Sequence, residues 1–205
     1  MRSYRKPVVE PAVQTPGEHF KPVISNRWPG FQMLQEMIRE KHSTHSLDEK
    51  LSLICEQTMG LMDVDAVVIG VKDTAAAPLT IRAVAGRVPN RLIGRIIPTG
   101  VGLTDLVLST GCGQISEYCL CDGRFAHGVE AWIKQLGLMA AMAVPMPQSP
   151  EPQGILFVFK RDFFRFNRWE LGILGMIGNM TIDEIVRQRA ATETPALKIR
   201  LQDVG

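Results

Sequence analysis

The stretch Pro98–Met146, PTGVGLTDLVLSTGCGQISEYCLCDGRFAHGVEAWIKQLGLMAAMAVPM, decides how the rest of the chain is read. It holds three of the four cysteines and one of the four histidines. Gly102–Ser109 reads as a short helix, with Gly111 placed to take the left-handed backbone at its C-terminus. Gln114–Ser116 reads as a brief strand. Phe125, Val129, Trp132, Ile133 and Leu136 fall at i, i+4, i+7, i+8 and i+11, one stripe of a helix over Phe125–Leu136. Leu138–Val144 is an apolar run of strand length.

C-terminal to this stretch, Gly154–Phe159 is a second apolar run. A polar, proline-rich turn over Pro147–Gln153 joins the two, which predicts an antiparallel hairpin. Asn167-Arg168-Trp169-Glu170 has the spacing of a capping box, with Asn as the cap. It opens a helix that runs to about Arg189. That helix is apolar on two sides: Trp169, Ile173, Met176, Ile177 and Met180 on one, Leu171, Leu174, Ile182 and Ile185 on the other. Both sides need cover. The sheet is expected to take the first. The second, eased by Gly175 and Gly178, is expected to meet another subunit or the chain's own first helix.

N-terminal to the stretch, Ala66–Val71 is nearly all apolar, as a central strand covered on both faces should be. Leu79–Ala85 mostly alternates, as a half-covered strand should, and a short strand is expected near Arg95–Ile97. Ser46-Leu47-Asp48-Glu49 is a capping box opening a helix to about Met62. Leu47, Leu51, Ile54, Cys55, Thr58, Leu61 and Met62 share its stripe. Phe31–Lys41 reads as an earlier helix, with Phe31, Leu34, Met37 and Ile38 on one side. Residues 1–30 carry five of the thirteen prolines, a density that suits an extended tail and neither a helix nor a central strand. The chain thus divides into a tail over 1–30, one domain over 31–190 and a C-terminal tail over 191–205. The fold class is α+β, an antiparallel sheet with terminal helices on one face.

At 45% hydrophobic and 21% charged, 205 residues suffice for one domain with a real core. A net charge of +2 is too mild for the dense basic face of a nucleic-acid binder, so no direct nucleic-acid contact is expected. No apolar run is long enough for a membrane span. The opening MRSYRKPVVEP lacks the apolar core of a secretory signal, and four unevenly spaced cysteines suit reduced thiols in a cytoplasmic protein.

The ordered set Ile81–Gly86, Pro98–Leu103, Leu108–Gly111, Asp122–Phe125, Ala143–Met146, Gly154–Leu156 and Phe166–Leu171 resembles the GAF family of sensory domains. The likeness covers about Ser46 to Arg187. It implies a central antiparallel sheet with terminal helices packed on one face and a ligand pocket on the other, walled here by about 98 to 135. Members of that family bind cyclic nucleotides, tetrapyrroles, small metabolites or ions, some are redox enzymes, and many dimerise through their terminal helices.

Within that wall, Cys119, Cys121, Asp122, Arg124, Phe125, His127 and Trp132 are the candidate ligand-binding residues. Cys112, Cys119, Cys121 and His127, spaced C-x6-C-x-C-x5-H, are a candidate metal set for zinc or an iron–sulfur centre. The spacing matches no standard metal pattern. The other reading makes Cys119 and Cys121 pocket wall and Cys112 a turn residue. His127 faces away from the Val129/Trp132/Leu136 stripe, toward solvent or toward the pocket. Arg124 and Asp122, at the mouth of the helix from Phe125, suit an anion; otherwise Asp122 caps and Arg124 is solvated. Ala126 precedes His127 where bilin-carrying members of the family have a cysteine, so no covalent bilin is expected. No catalytic constellation is present in the sequence.

The function expected is a stand-alone sensory or regulatory module that binds a small molecule or ion. The extensions are too short for a kinase or cyclase and show no helix-turn-helix pattern. Output is therefore expected through a separate signalling or transcription partner, and the module is expected to be a homodimer. One alternative is a cysteine-based redox or metal sensor. Another is an enzyme resembling free methionine sulfoxide reductase.

Overall fold

The computed structural model describes residues 46–202, apart from 75, 101, 125–130 and 148–153. The expected tail over 1–30, the helix Phe31–Lys41, Phe125 and His127 lie outside the described residues. Four helices and five strands follow: α1 (Leu47–Met62), β1 (Ala66–Val71), β2 (Thr80–Gly86), α2 (Gly102–Thr110), β3 (Gln114–Ser116), α3 (Ala131–Gln135), β4 (Ala140–Met146), β5 (Gly154–Lys160) and α4 (Arg168–Gln202).

Both capping boxes close as the sequence predicts. Glu49 Oε2 accepts from the Ser46 backbone N–H at 2.7 Å, while Ser46 Oγ accepts from the Glu49 N–H at 3.3 Å. At α4, Asn167 Oδ1 accepts from the N–H groups of Trp169 and Glu170, both at 2.9 Å. Glu170 Oε2 returns the bond to the Asn167 N–H. One freed donor at the start of α1 and two at the start of α4 are thereby satisfied.

The strands form one antiparallel sheet in the order β2-β1-β5-β4-β3. β1 lies inside and is buried at all six positions. Alternation along the strands splits the core in two. Val67, Ile69, Met142, Val144, Leu156 and Val158 face α1 and α4. Ala66, Val68, Ile81, Ala141, Phe157 and Phe159 face the other way, under Ile97, Leu103, Val107, Ile133 and Leu138.

Helix α4 departs from expectation in two ways. It continues past Arg189 to Gln202, and Ala190 and Ala191 are strong helix formers at the expected stop. The side turned to the sheet is also not the one predicted. Leu174, Ile182 and Ile185, expected at a subunit interface, are buried in the domain core beside Ile177. Trp169 and Met176, expected on the sheet, are 55% and 46% exposed. The reason is Gly178. A Cβ there would stand 3.3 Å from the Pro145 carbonyl oxygen and 3.3 Å from Val144 Cγ2. The missing side chain lets α4 close on β4 of its own sheet, and Gly178 is not free to receive a second helix.

Ion pairs tie α1 and α4 to each other and to the turn after β1. Lys50 meets Glu184 at 2.8 Å. Arg82 on β2 bridges Asp48 of α1 at 2.8 Å and Asp73 of the turn at 3.1 Å. Arg189 of α4 reaches Asp73 at 3.3 Å and the Lys72 carbonyl at 3.0 Å.

Candidate functional site

The segment from Gly111 to Arg124 lies along the β3 edge of the sheet. Gly111 ends α2 at φ 64°, its N–H on the Val107 carbonyl at 3.0 Å. β3 then pairs with β4 over three residues, Gln114 to Ser116. Ile115 packs on the helix-side core, so strand alternation turns Ser116 to the opposite face. The Tyr118 carbonyl accepts from both Cys121 N–H (3.1 Å) and Asp122 N–H (3.0 Å), closing a tight turn. Within that turn Cys119 is buried and Cys121 exposed. The Cys119 N–H donates to the Met139 carbonyl at 2.6 Å.

Arg124 fastens this loop to the strand. Its Nε and an amino group engage the two Asp122 oxygens at 2.9 and 2.6 Å, a forked contact. The guanidinium also donates to Gln114 Oε1 at 3.2 Å and to the Ile115 carbonyl at 2.6 Å. Arg124 is thus a clasp over the free edge of β3. Beside the two sequence readings, an anion-binding group or a solvated arginine, the structure gives Arg124 this further part, with its side chain still 43% exposed. A pairing between Arg124 and a strand ten residues back is tertiary and carries no local signal.

The electrostatics follow from the contacts. Hydrogen bonds from Arg124 hold the Asp122 carboxyl down at about 2. The same pairing raises the Arg124 guanidinium above its ordinary value. Burial pushes the Cys119 thiol up to about 11. The Ser116 hydroxyl lies near enough to Cys119 and Asp122 to lower both. Ser116 is itself buried, and its Oγ completes a well-formed hydrogen bond with neither. The sequence reading missed Ser116. Its one signal was its place in phase with Gln114 on a predicted strand.

The candidate set is therefore only partly gathered. Cys119, Asp122 and Arg124 come together. Cys121 points outward, and Cys112 is exposed on the turn after α2, its N–H on Thr110 Oγ1 at 3.2 Å. Trp132 stands edge-on to Phe159, ring centroids 5.7 Å apart. Among the described residues, no three His, Cys, Asp or Glu side chains gather to hold a metal. None of the helices there is long and apolar enough to cross a membrane.

No protein-family model matches the chain, and no curated protein sequence does. Solved structures do. The GAF domain of a phosphoenolpyruvate-protein phosphotransferase (ptsP) from Coxiella burnetii superposes with a TM-score of 0.71 at 16% identity, covering 83% of this chain and 99% of that one. The fold is that of a GAF domain. The second GAF domain of DevS from Mycobacterium smegmatis matches at 0.55 and 18% identity, covering 74% and 99%. Free methionine-R-sulfoxide reductase from Neisseria meningitidis, solved with its substrate, matches at 0.66 and 12% identity, covering 82% and 92%.

In this GAF fold the face away from α1 and α4 is the one that Ser116 and Cys119 look onto. Phe157 and Phe159 stack there with centroids 5.7 Å apart. A groove of about 710 Å³ lies on the opposite side, between α4 and the β3–β4 edge. Gly113, Gln114, Ile115, Arg168, Gly172 and Asn179 are among its lining residues. Cys119, Cys121, Asp122, Arg124 and Trp132 are not.

Proposed function

We propose that the chain is a sensory or regulatory module of GAF type. It binds a small molecule or ion on the sheet face turned from α1 and α4, beside β3 and the loop carrying Cys119, Asp122 and Arg124. The observation that carries this reading is the buried Ser116 hydroxyl without a completed hydrogen bond. A buried polar atom in that condition costs about 1–3 kcal/mol. A ligand supplying one polar partner recovers that cost. The Arg124 clasp is the part that would change state on binding, because one side chain holds both ends of the loop. In this reading the module is a cytoplasmic homodimer through its terminal helices. It hands its state to a separate signalling or transcription partner, and it carries no covalent bilin.

The test is native mass spectrometry of the protein as purified, with thermal shifts against panels of nucleotides, amino acids and metal ions. A retained or stabilising compound lost in Ser116→Leu, with the fold intact by circular dichroism, supports the reading. No retained mass and no shift with any panel member would end it.

A second reading is redox or metal sensing through Cys112, Cys119 and Cys121 with His127; the exposure of the Cys112 and Cys121 thiols supports it. Metal analysis, and turnover of free methionine sulfoxide with a reductant, separate it from the first.

A further inference from the structure

We infer that the loop from Arg87 to Ile96 is a peripheral membrane contact, which seats its exposed isoleucines in the headgroup layer of an anionic lipid surface. This goes beyond the sensory reading and needs neither its ligand nor its homodimer.

The shape of the loop follows from where its apolar pairs point. Leu92-Ile93 and Ile96-Ile97 are two pairs of neighbours, and the backbone splits each of them. A single 3₁₀ turn spans Asn90–Leu92, and the Ile93 N–H closes on the Asn90 carbonyl at 2.9 Å. Gly94, at φ 85°, reverses the chain and donates to the Ile81 carbonyl at 2.8 Å. The Ile81 N–H returns to the Arg95 carbonyl at 2.9 Å, and the Ile97 N–H reaches the Leu79 carbonyl at 2.8 Å. The short strand expected near Arg95–Ile97 is thus a single bridge, Thr80 to Ile96, along the outer edge of β2. Leu92 and Ile97 turn into the core beneath. Ile93 and Ile96 are left outside, 44% and 62% exposed. A Cβ at Gly94, between them, would meet nothing within 4 Å, so the tip protrudes and offers no hollow for an apolar peptide.

Charge chooses the occupant. From Thr74 to Thr104 the chain has four arginines and no acidic residue. Arg82 is taken by Asp48 and Asp73. Arg87, Arg91 and Arg95 are exposed, and none has an ion-pair partner among the described residues. Arginines alone would serve to keep a sheet edge from pairing with another strand, but the two exposed isoleucines beside them have no part in that. A nucleic acid would use the arginines, yet the loop has no aromatic ring on which a base could stack. An anionic bilayer uses both. The guanidinium groups meet the lipid phosphates, and the protruding aliphatic side chains enter the boundary between headgroups and acyl chains. The anionic leaflet is the cytoplasmic one, which agrees with the location proposed above.

The experiment is flotation of the full chain with phosphatidylcholine vesicles, with and without phosphatidylserine, and circular dichroism on every variant. The wild type is expected to float with the phosphatidylserine vesicles alone and to be released by high salt. Arg91→Gln and Arg95→Gln are each expected to weaken binding about fivefold, the effect of one arginine near an anionic surface. Arg168→Gln, an equal loss of charge at an exposed site on α4, is expected to bind as the wild type does. Ile93→Ser combined with Ile96→Ser is expected to weaken binding with the fold intact, because neither side chain belongs to the core. A wild type that floats with neither vesicle overturns the inference, whatever small ligand the domain binds. An Arg168→Gln variant as weak as Arg91→Gln also overturns it, since the attraction would then be one of net charge and not of this loop. A chain that ignores the vesicles and shifts with a single-stranded oligonucleotide overturns it in favour of a nucleic-acid surface.

Discussion

The Lys50 ammonium lies 2.8 Å from Glu184 Oε1, joining α1 to α4 at a point where the glutamate side chain is 1% exposed. Gln188 donates to the same oxygen at 3.2 Å, and Arg187 sits against Oε2. A charge so enclosed is tolerated only because its partners are in place. Glu184→Leu strands Lys50 in a largely apolar seam and is expected to destabilise the fold by about 3 kcal/mol. Adding Lys50→Met is expected to return most of that loss, because two apolar groups then face each other. Urea denaturation of the two single variants and the double variant measures the coupling. A double variant as unstable as the sum of the singles would contradict it.

The Arg124 clasp gives the domain a defined acid response. Asp122 titrates near 2 when folded, below the ordinary carboxylate value of about 3.9. A depressed folded value means that the unfolded chain binds the proton first. The contribution is therefore complete above about pH 4 and is lost as pH falls toward 2. Asp122→Asn is expected to flatten this part of the stability–pH profile and to lower stability at neutral pH. Equal slopes in wild type and variant between those values would mean that the clasp does not form in solution.

The four thiols should react in two groups. Cys112 and Cys121 are exposed and expected to alkylate in the native protein within the first exposure to iodoacetamide. Cys119, buried and held up at about 11, is expected to stay unmodified until the chain unfolds. Cys55, fully buried on α1 with its thiol raised further still by burial, should behave the same way. Peptide mapping by mass spectrometry reads the order directly. Native labelling of Cys119 at the rate of Cys121 would show that the loop is open most of the time.

The strands and both capping boxes were legible because their signals are local. Five apolar residues and one glycine over Ala66–Val71, and a Ser or Asn three residues before a Glu, need no knowledge of the rest of the chain. The buried face of α4 was not legible, since apolar residues stand on two sides and a helical wheel has no means of choosing. The choice falls to Gly178, through its approach to the Pro145 carbonyl, and that contact spans more than thirty residues of chain. The site divides in the same way. Cys119, Asp122 and Arg124 could be named from composition. That Arg124 would clasp Ile115, that Cys121 would turn outward and that Ser116 would lie buried all depend on how the loop folds back on the sheet edge.

The ion pairs around Asp73 have a mechanical consequence. Ser116 lies in the row of paired residues that runs through Ala141 and Phe159 to Ala66, at one end of the sheet. Val71, just before the Asp73 turn, lies at the other end with Gly154 and Met146. The two rows are about 17 Å apart at 3.3 Å per residue. Asp48 and Arg189, through Arg82 and Asp73, thus gather the start of α1 and the far part of α4 at the end remote from the loop. The sheet is thus stapled by ion pairs at one end, while at the other its edge strand is held by the Arg124 side chain. Fluorophores placed near Asp48 and Arg189 are expected to begin close together, and their separation with and without a ligand measures how far the stapled end follows the loop.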